Sequence, residues 1–127
     1  MSWQTYIDDS LLGTGKIAQA AIYGLDGTLW ASSAGFNPSA EEIKTIIDSF
    51  NDVQKIQANG IRCNGVKYFF LSHQDDTNIH GKQGADGIIA EKTAQAVIIG
   101  TYAEGTAAGV ANKVVGDLGD YLRQLNY

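Results

Sequence analysis

Apolar and polar positions follow two periods along this chain, and the changes between them divide it into helices and strands. The longest helical pattern runs from Thr106 to Tyr127, where Val110, Val114, Leu118, Tyr121 and Leu125 recur at spacings of three and four. This predicts one helix with an apolar stripe over a core. Its opposite side carries Gly109, Asn112, Lys113, Gly116 and Asp117. Glycine inside a helix costs up to ~1 kcal/mol relative to alanine. Two on the outward side suggest a surface cleared of side chains for a partner that comes close, with tolerated drift on a solvated face as the plainer alternative.

Two further helices are expected. Ser2 caps WQTYIDDSLL, which ends at the Gly13-Thr14-Gly15 breaker; Trp3, Tyr6 and Ser10 share one face and Ile7 and Leu11 form the core stripe. After Pro38, SAEEIKTIIDSF opens with a capping box, Ser39 with Glu42 three later, and buries Ile43, Ile46, Ile47 and Phe50. Strands occupy much of the rest. Ala20–Tyr23 and Leu29–Ser33 flank an Asp26-Gly27 turn, and Ile61–Cys63 and Val66–Leu71 flank Asn64-Gly65, both strong hairpin signals. Ser72–Asp76 reads as a polar turn, followed by strands at Asn78–Gln83, Gly87–Thr93 and Gln95–Tyr102, the last β-branched and central. Short connections imply an antiparallel meander, and one sheet with helices on its faces is the simplest way to bury three amphipathic helices. The fold class is α+β (mixed α/β), a single domain over residues 1–127.

Composition narrows the function. The net charge of −5 argues against nucleic acid and against broad attraction to anionic membrane. No apolar run approaches the about 20 residues of a membrane span, and the start lacks the pattern of a signal peptide, so a cytosolic protein is expected. Fifteen glycines against one proline fit tight turns and close backbone approaches. Candidate chemistry is sparse. His73 and His80 with Asp75 and Asp76 read as a solvated polar turn rather than a metal site, and Cys63 reads as a buried, inert thiol. Neither a nucleophile elbow nor a phosphate-cradling loop is present, so no enzyme, cofactor or metal is expected. The aromatic residues are more informative. If the terminal helices lie side by side, Trp3, Tyr6, Trp30, Tyr121 and Tyr127 could converge into a shallow shelf of the kind that binds polyproline II peptides. The competing reading buries most of these rings in the core.

The residues also carry a resemblance. SWQTYIDDSLLGTGKIAQAAIYGLDGTLWASSAGFNPSAEEI at the start, then IHGKQG, GII, EKTAQAVIIGTY and the ending NKVVGDLGDYL resemble profilin, the small actin-monomer-binding protein, across essentially the whole chain. The resemblance implies a central antiparallel sheet with the N- and C-terminal helices on one face and smaller helices on the other. It implies a polyproline shelf of Trp3, Tyr6, Trp30, Tyr121, Leu122 and Tyr127, and an actin-facing surface including Lys82, Gly109, Asn112, Lys113, Gly116 and Asp117. It further implies phosphoinositide head-group contacts, for which Arg62, Lys67, Lys82 and Lys113 are the candidates. His80 and Gln83 stand where many relatives have Tyr and a second Lys, so phosphoinositide binding is the weakest of these expectations. The implied protein is a monomer of the cytoplasm, cytoskeleton and cell cortex. It regulates actin polymerisation and docks proline-rich proteins. The alternative is a proline-peptide or phosphoinositide-binding module whose actin face is weakened.

Overall fold

A computed structural model describes residues 2–74 and 76–127. Seven strands form one sheet: β1 (Gln19–Gly24), β2 (Leu29–Ser32), β3 (Ile61–Cys63), β4 (Val66–Gln74), β5 (Asn78–Gln83), β6 (Asp86–Lys92) and β7 (Ala96–Tyr102). Their order is β2-β1-β7-β6-β5-β4-β3, and every neighbouring pair is antiparallel. Side-chain alternation splits the core in two. Ala20, Ile22, Ile89 and Ile98 enter one cluster, and their sequence neighbours Ala21, Tyr23, Ile88, Val97 and Ile99 enter the other. All seven residues of β7 are buried, which is why its β-branched run shows no polar alternation.

One face is covered by the N-terminal helix and by α4 (Ala108–Gln124). The N-terminal helix starts as α1 (Trp3–Thr5), widens to a π-helix over Tyr6–Leu11 and closes in a 3-10 turn at Leu12–Thr14. A plain α-helix was expected. Burial of Tyr6, Ile7 and Leu11 together goes with the widened turn, while Ser2 caps the start as expected.

The other face is covered by α2 (Ala40–Ser49) and α3 (Gln54–Asn59), which ride the long connection between β2 and β3 at opposite sheet edges. The capping box is complete: Ser39 Oγ accepts from the Glu42 N–H at 3.1 Å and Glu42 Oε1 accepts from the Ser39 N–H at 2.7 Å. The same carboxylate accepts from the Asn64 and Gly65 N–H groups at 3.0 and 3.1 Å, so one residue caps α2 and pins the β3–β4 turn. Asn64 and Gly65 have φ of 53° and 78°, as the expected turn type requires. α3 was not anticipated; at six residues with Ile56 its one buried side chain, it shows no period to read.

Two expectations are corrected. The buried stripe of α4 is Ala111, Val115, Leu118 and Leu122, whereas Val110, Tyr121 and Leu125 are 44%, 43% and 43% exposed. The helix sits close to the sheet on small residues. A Cβ on Gly119 would lie 2.8 Å from Glu91 Cγ, and one on Gly100 of β7 would lie 3.0 Å from Val115 Cγ2. Close approach thus selects the face one position away from the bulkier side chains. In addition, Ser72, His73 and Gln74 belong to β4 rather than to a turn, with a bulge between Phe70 and Ser72. Asp75 lies outside the described residues.

Candidate functional site

The N-terminal helix, β2 and the end of α4 place five rings against one another. The Trp3 centroid is 4.6 Å from that of Trp30, 4.9 Å from Tyr127 and 5.5 Å from Tyr6. Tyr6 is 6.0 Å from Tyr121, and Trp30 is 6.2 Å from Tyr127. The contacts are tilted or edge-on, the geometries ring quadrupoles favour, each worth ~1 kcal/mol beyond burial. Trp3 and Trp30 are half-buried and Tyr121 and Tyr127 exposed, so the cluster presents ring surface to solvent instead of dissolving into the core. Tyr6 is its floor, only 9% exposed. Burial raises its hydroxyl pKa above the usual 10.0, reinforced by the Tyr121 and Tyr127 hydroxyls. Leu122, expected on the shelf, is fully buried in the core and carries none of its surface; it lies on the inward stripe of α4 next to Tyr121.

Tyr127 is held by backbone contacts. Its carbonyl accepts from Thr93 Oγ1 at 2.8 Å and from the Gln95 N–H, and its own N–H donates to the Leu122 carbonyl at 2.9 Å. Gln95 Nε2 donates to the Asn126 carbonyl at 2.7 Å. The residue preceding the ring is therefore fixed, and Asn126 accepts a left-handed φ of 67°.

The outward side of α4 is built differently. A Cβ added to Gly109 or Gly116 would meet nothing within 4 Å, so neither glycine serves packing inside the molecule. Lys113 and Asp117 form an exposed i,i+4 ion pair at 3.0 Å. Asn112 is half-buried; its Oδ1 accepts from Asn78 Nδ2 of β5 at 2.8 Å. Asp117 also lines a cleft beside Tyr6 and Tyr121, so it belongs as much to the shelf side as to the outward face. Lys82 is exposed on β5, paired across the strands with Phe69 of β4. Phe69 and Leu71 are 66% and 53% exposed, apolar surface that reading Val66–Leu71 as a strand does not single out.

Beneath this face lies a polar network that also escaped the sequence reading. Glu91 is buried, pairs with Arg123 at 2.6 Å and accepts from Asn78 Nδ2 at 2.7 Å; Arg123 also donates to the Lys92 carbonyl at 2.6 Å. Alternation from Ile89 turns Glu91 inward, which was the available signal. His80 meets the Tyr102 hydroxyl at 2.5 Å, and burial, then the charge of Lys82, lower its pKa. His80 and His73 lie on opposite faces of the sheet: His73 lines a small hollow with Phe50. Cys63 is buried, its thiol pushed up to about 12, mainly by burial.

Arg62 and Lys67 pair across β3 and β4, and Lys67 Nζ lies 5.6 Å from the Phe69 ring. Two-residue alternation places Lys67 and Phe69, and hence Lys82, on one sheet face. Among the described residues none of Arg62, Lys67 and Lys82 pairs with a carboxylate.

Comparison with known proteins agrees with this architecture. The profilin family model matches residues 1–127. Profilin-1B of Acanthamoeba castellanii is 48% identical over 122 residues, covering 96% of each chain, and profilin-A of Physarum polycephalum is 44% identical over the full length of both. The crystal structure of Acanthamoeba castellanii profilin II superposes with a TM-score of 0.95 at 42% identity, over 99% of this chain and 100% of the other. This chain belongs to the profilin family.

Proposed function

We propose that this protein binds monomeric actin, regulates its polymerisation and docks proline-rich proteins through the aromatic shelf. The observation that carries the reading is the convergence of Trp3, Tyr6, Trp30, Tyr121 and Tyr127 into one solvent-facing cluster. A polyproline II helix is already extended and has free carbonyls, so rings can stack between its prolines while indole and phenol groups donate to it at low entropic cost. Family membership supports the actin reading. Its surface is the outward side of α4, with Lys82, Gly109, Asn112, Lys113, Gly116 and Asp117, extended by Phe69 and Leu71 on β4. A glycine-cleared helix beside an exposed apolar patch suits a broad, flat protein contact. Such a protein would act in the cytoplasm, at the cytoskeleton and cell cortex.

The test has two readouts on one preparation. Retention on poly-L-proline resin together with suppression of spontaneous actin assembly is expected. A folded protein that passes through the resin contradicts the shelf, and one that leaves assembly unchanged contradicts the actin face.

One observation favours a second ligand. Arg62, Lys67 and Lys82 are exposed, have no carboxylate partner among the described residues, and lie on one side of three neighbouring strands. With Lys113 on α4 they are the basic residues for a phosphoinositide head group, each worth ~1 kcal/mol near an anionic surface.

A further inference from the structure

The aromatic shelf does not end at Tyr6 and Tyr121. Both rings also line a cleft of about 370 Å³ running between the N-terminal helix and α4, away from Trp3 and Trp30. Its apolar wall is completed by Val114 and Leu118, and its polar groups are the Ser10 and Thr14 hydroxyls and the Asp117 carboxylate. Among the described residues no basic side chain lines it. Asp117 is 64% exposed, and its i,i+4 partner Lys113 is 74% exposed. An ion pair so exposed to solvent is weak, so the carboxylate remains open to a stronger donor. Thr14 Oγ1 donates to the Leu11 carbonyl at 2.7 Å and accepts from the Lys16 N–H at 3.1 Å, which leaves the oxygen one further lone pair to accept with. The site therefore offers ring faces, a short aliphatic wall and acceptors, a combination suited to a guanidinium on a long stem.

We propose that this cleft is a charge-reading extension of the shelf, and that the preferred ligand is a proline-rich segment with an arginine just beyond one end of its proline run. The occupant follows from charge complementarity and from continuity with the shelf through two shared rings; the inference rests on the shelf reading above. The arginine stem lies along Val114 and Leu118, its plane stacks on a tyrosine, and its N–H groups reach Asp117 and the hydroxyl oxygens. Lysine fits less well, because its ammonium does not stack as a plane. An acidic residue at the same position faces Asp117 in a chain of net charge −5 and is disfavoured.

Quenching of Trp3 and Trp30 fluorescence by four synthetic peptides tests this: a proline decamer, the decamer with arginine after a one-residue spacer at either end, and the decamer with glutamate at the favoured end. At low salt, one arginine peptide is expected to bind about fivefold more tightly than the plain decamer. The glutamate peptide should bind more weakly than the plain one. In Asp117→Asn the arginine and plain peptides should bind alike. Equal binding of both arginine peptides and the plain decamer by the wild type overturns the inference while leaving the shelf intact. So does an arginine advantage that survives in Asp117→Asn. Failure of every peptide, the plain decamer included, overturns the shelf and the extension together.

Discussion

The aromatic shelf and the outward face of α4 share one helix but are made in opposite ways. The shelf draws its rings from residues 3–6, 30 and 121–127, and every ring touches another. Hydrogen bonds from the Thr93 hydroxyl and the Gln95 N–H fix the backbone that carries its last ring. It is preorganised: few side chains would remain to be ordered on docking of the proposed proline-rich ligand, so little affinity would be lost to entropy. The α4 face is defined by what it lacks. Gly109 and Gly116 have open space above them, Lys113 and Asp117 form an exposed ion pair, and Phe69 and Leu71 are uncovered. Such a face gains its energy from area and fit. One damaged ring should therefore cripple the shelf, while the face should fail only when its flatness is lost.

The largest effect should strike both regions together. Glu91→Ala removes the buried carboxylate that ties Arg123 of α4 and Asn78 of β5 to β6, leaving the partly buried Arg123 with only the exposed Asp120 carboxylate and the Lys92 carbonyl. A loss of ~3 kcal/mol in denaturant unfolding is expected, with weakened proline and actin binding as α4 loosens. A Glu91→Ala variant as stable as the wild type would show that the two regions are not anchored through this network. Next comes Trp3→Ala, which removes the ring contacting Tyr6, Trp30 and Tyr127. Proline-peptide affinity should fall by ~2 kcal/mol or more, with actin binding unchanged. Peptide titration of the folded variant checks this; wild-type affinity would place the shelf elsewhere.

Gly116→Glu should do the reverse. A bulky charge in the open space over Gly116 props a partner away from the helix, weakening actin binding about tenfold, ~1.4 kcal/mol. Thermal stability and resin retention should hold, since the position packs against nothing. Loss of resin retention instead would mean the two surfaces are not separate. Phosphoinositide binding should be weaker still. Vesicle co-sedimentation is expected to vanish at moderate salt, because only exposed charges would hold the head group; tight binding at high salt would require a buried anion site.

The smallest effects come from pH, and they separate the regions by sign. His80, beside Lys82 on the face side, has its pKa lowered from 6.5, so the folded state resists a proton that the unfolded chain accepts. Its contribution to stability is present above pH 6.5 and is lost as pH falls below it. Tyr6 of the shelf has its pKa raised from 10.0, so its contribution is present below pH 10.0 and is lost as pH rises above it. His80→Gln should flatten the acid limb of the stability curve, and Tyr6→Phe the alkaline limb. An acid limb unchanged by His80→Gln would remove His80 from the account.

How legible each region was follows from how it is built. The strands could be read because alternation and the Asp26-Gly27 and Asn64-Gly65 turns are local, and α2 because its capping box is local. The glycine side of α4 could be read for the same reason. The inward side was misplaced by one position because Ala111 and Gly119 decide the approach to the sheet, and small residues give a weak signal in an apolar pattern. Convergence of the five rings is a tertiary fact. Sequence could offer it only as one of two outcomes, and resemblance tipped the choice. The burial of Leu122 follows from the same one-position shift, and the exposure of Phe69 and Leu71 depends on how far α4 reaches across the sheet, which no local pattern encodes.

The central claim is that one helix serves two surfaces, sharing only Asp117 at their border, that a plain proline run and actin occupy at the same time. Its most direct measurement is capture of monomeric actin by wild-type protein already bound to poly-L-proline resin. The account predicts that the resin-bound protein takes up actin as tightly as the free protein does, and that neither ligand elutes the other. Actin that strips the protein from the resin, or fails to bind it there, would contradict the separation of shelf and face.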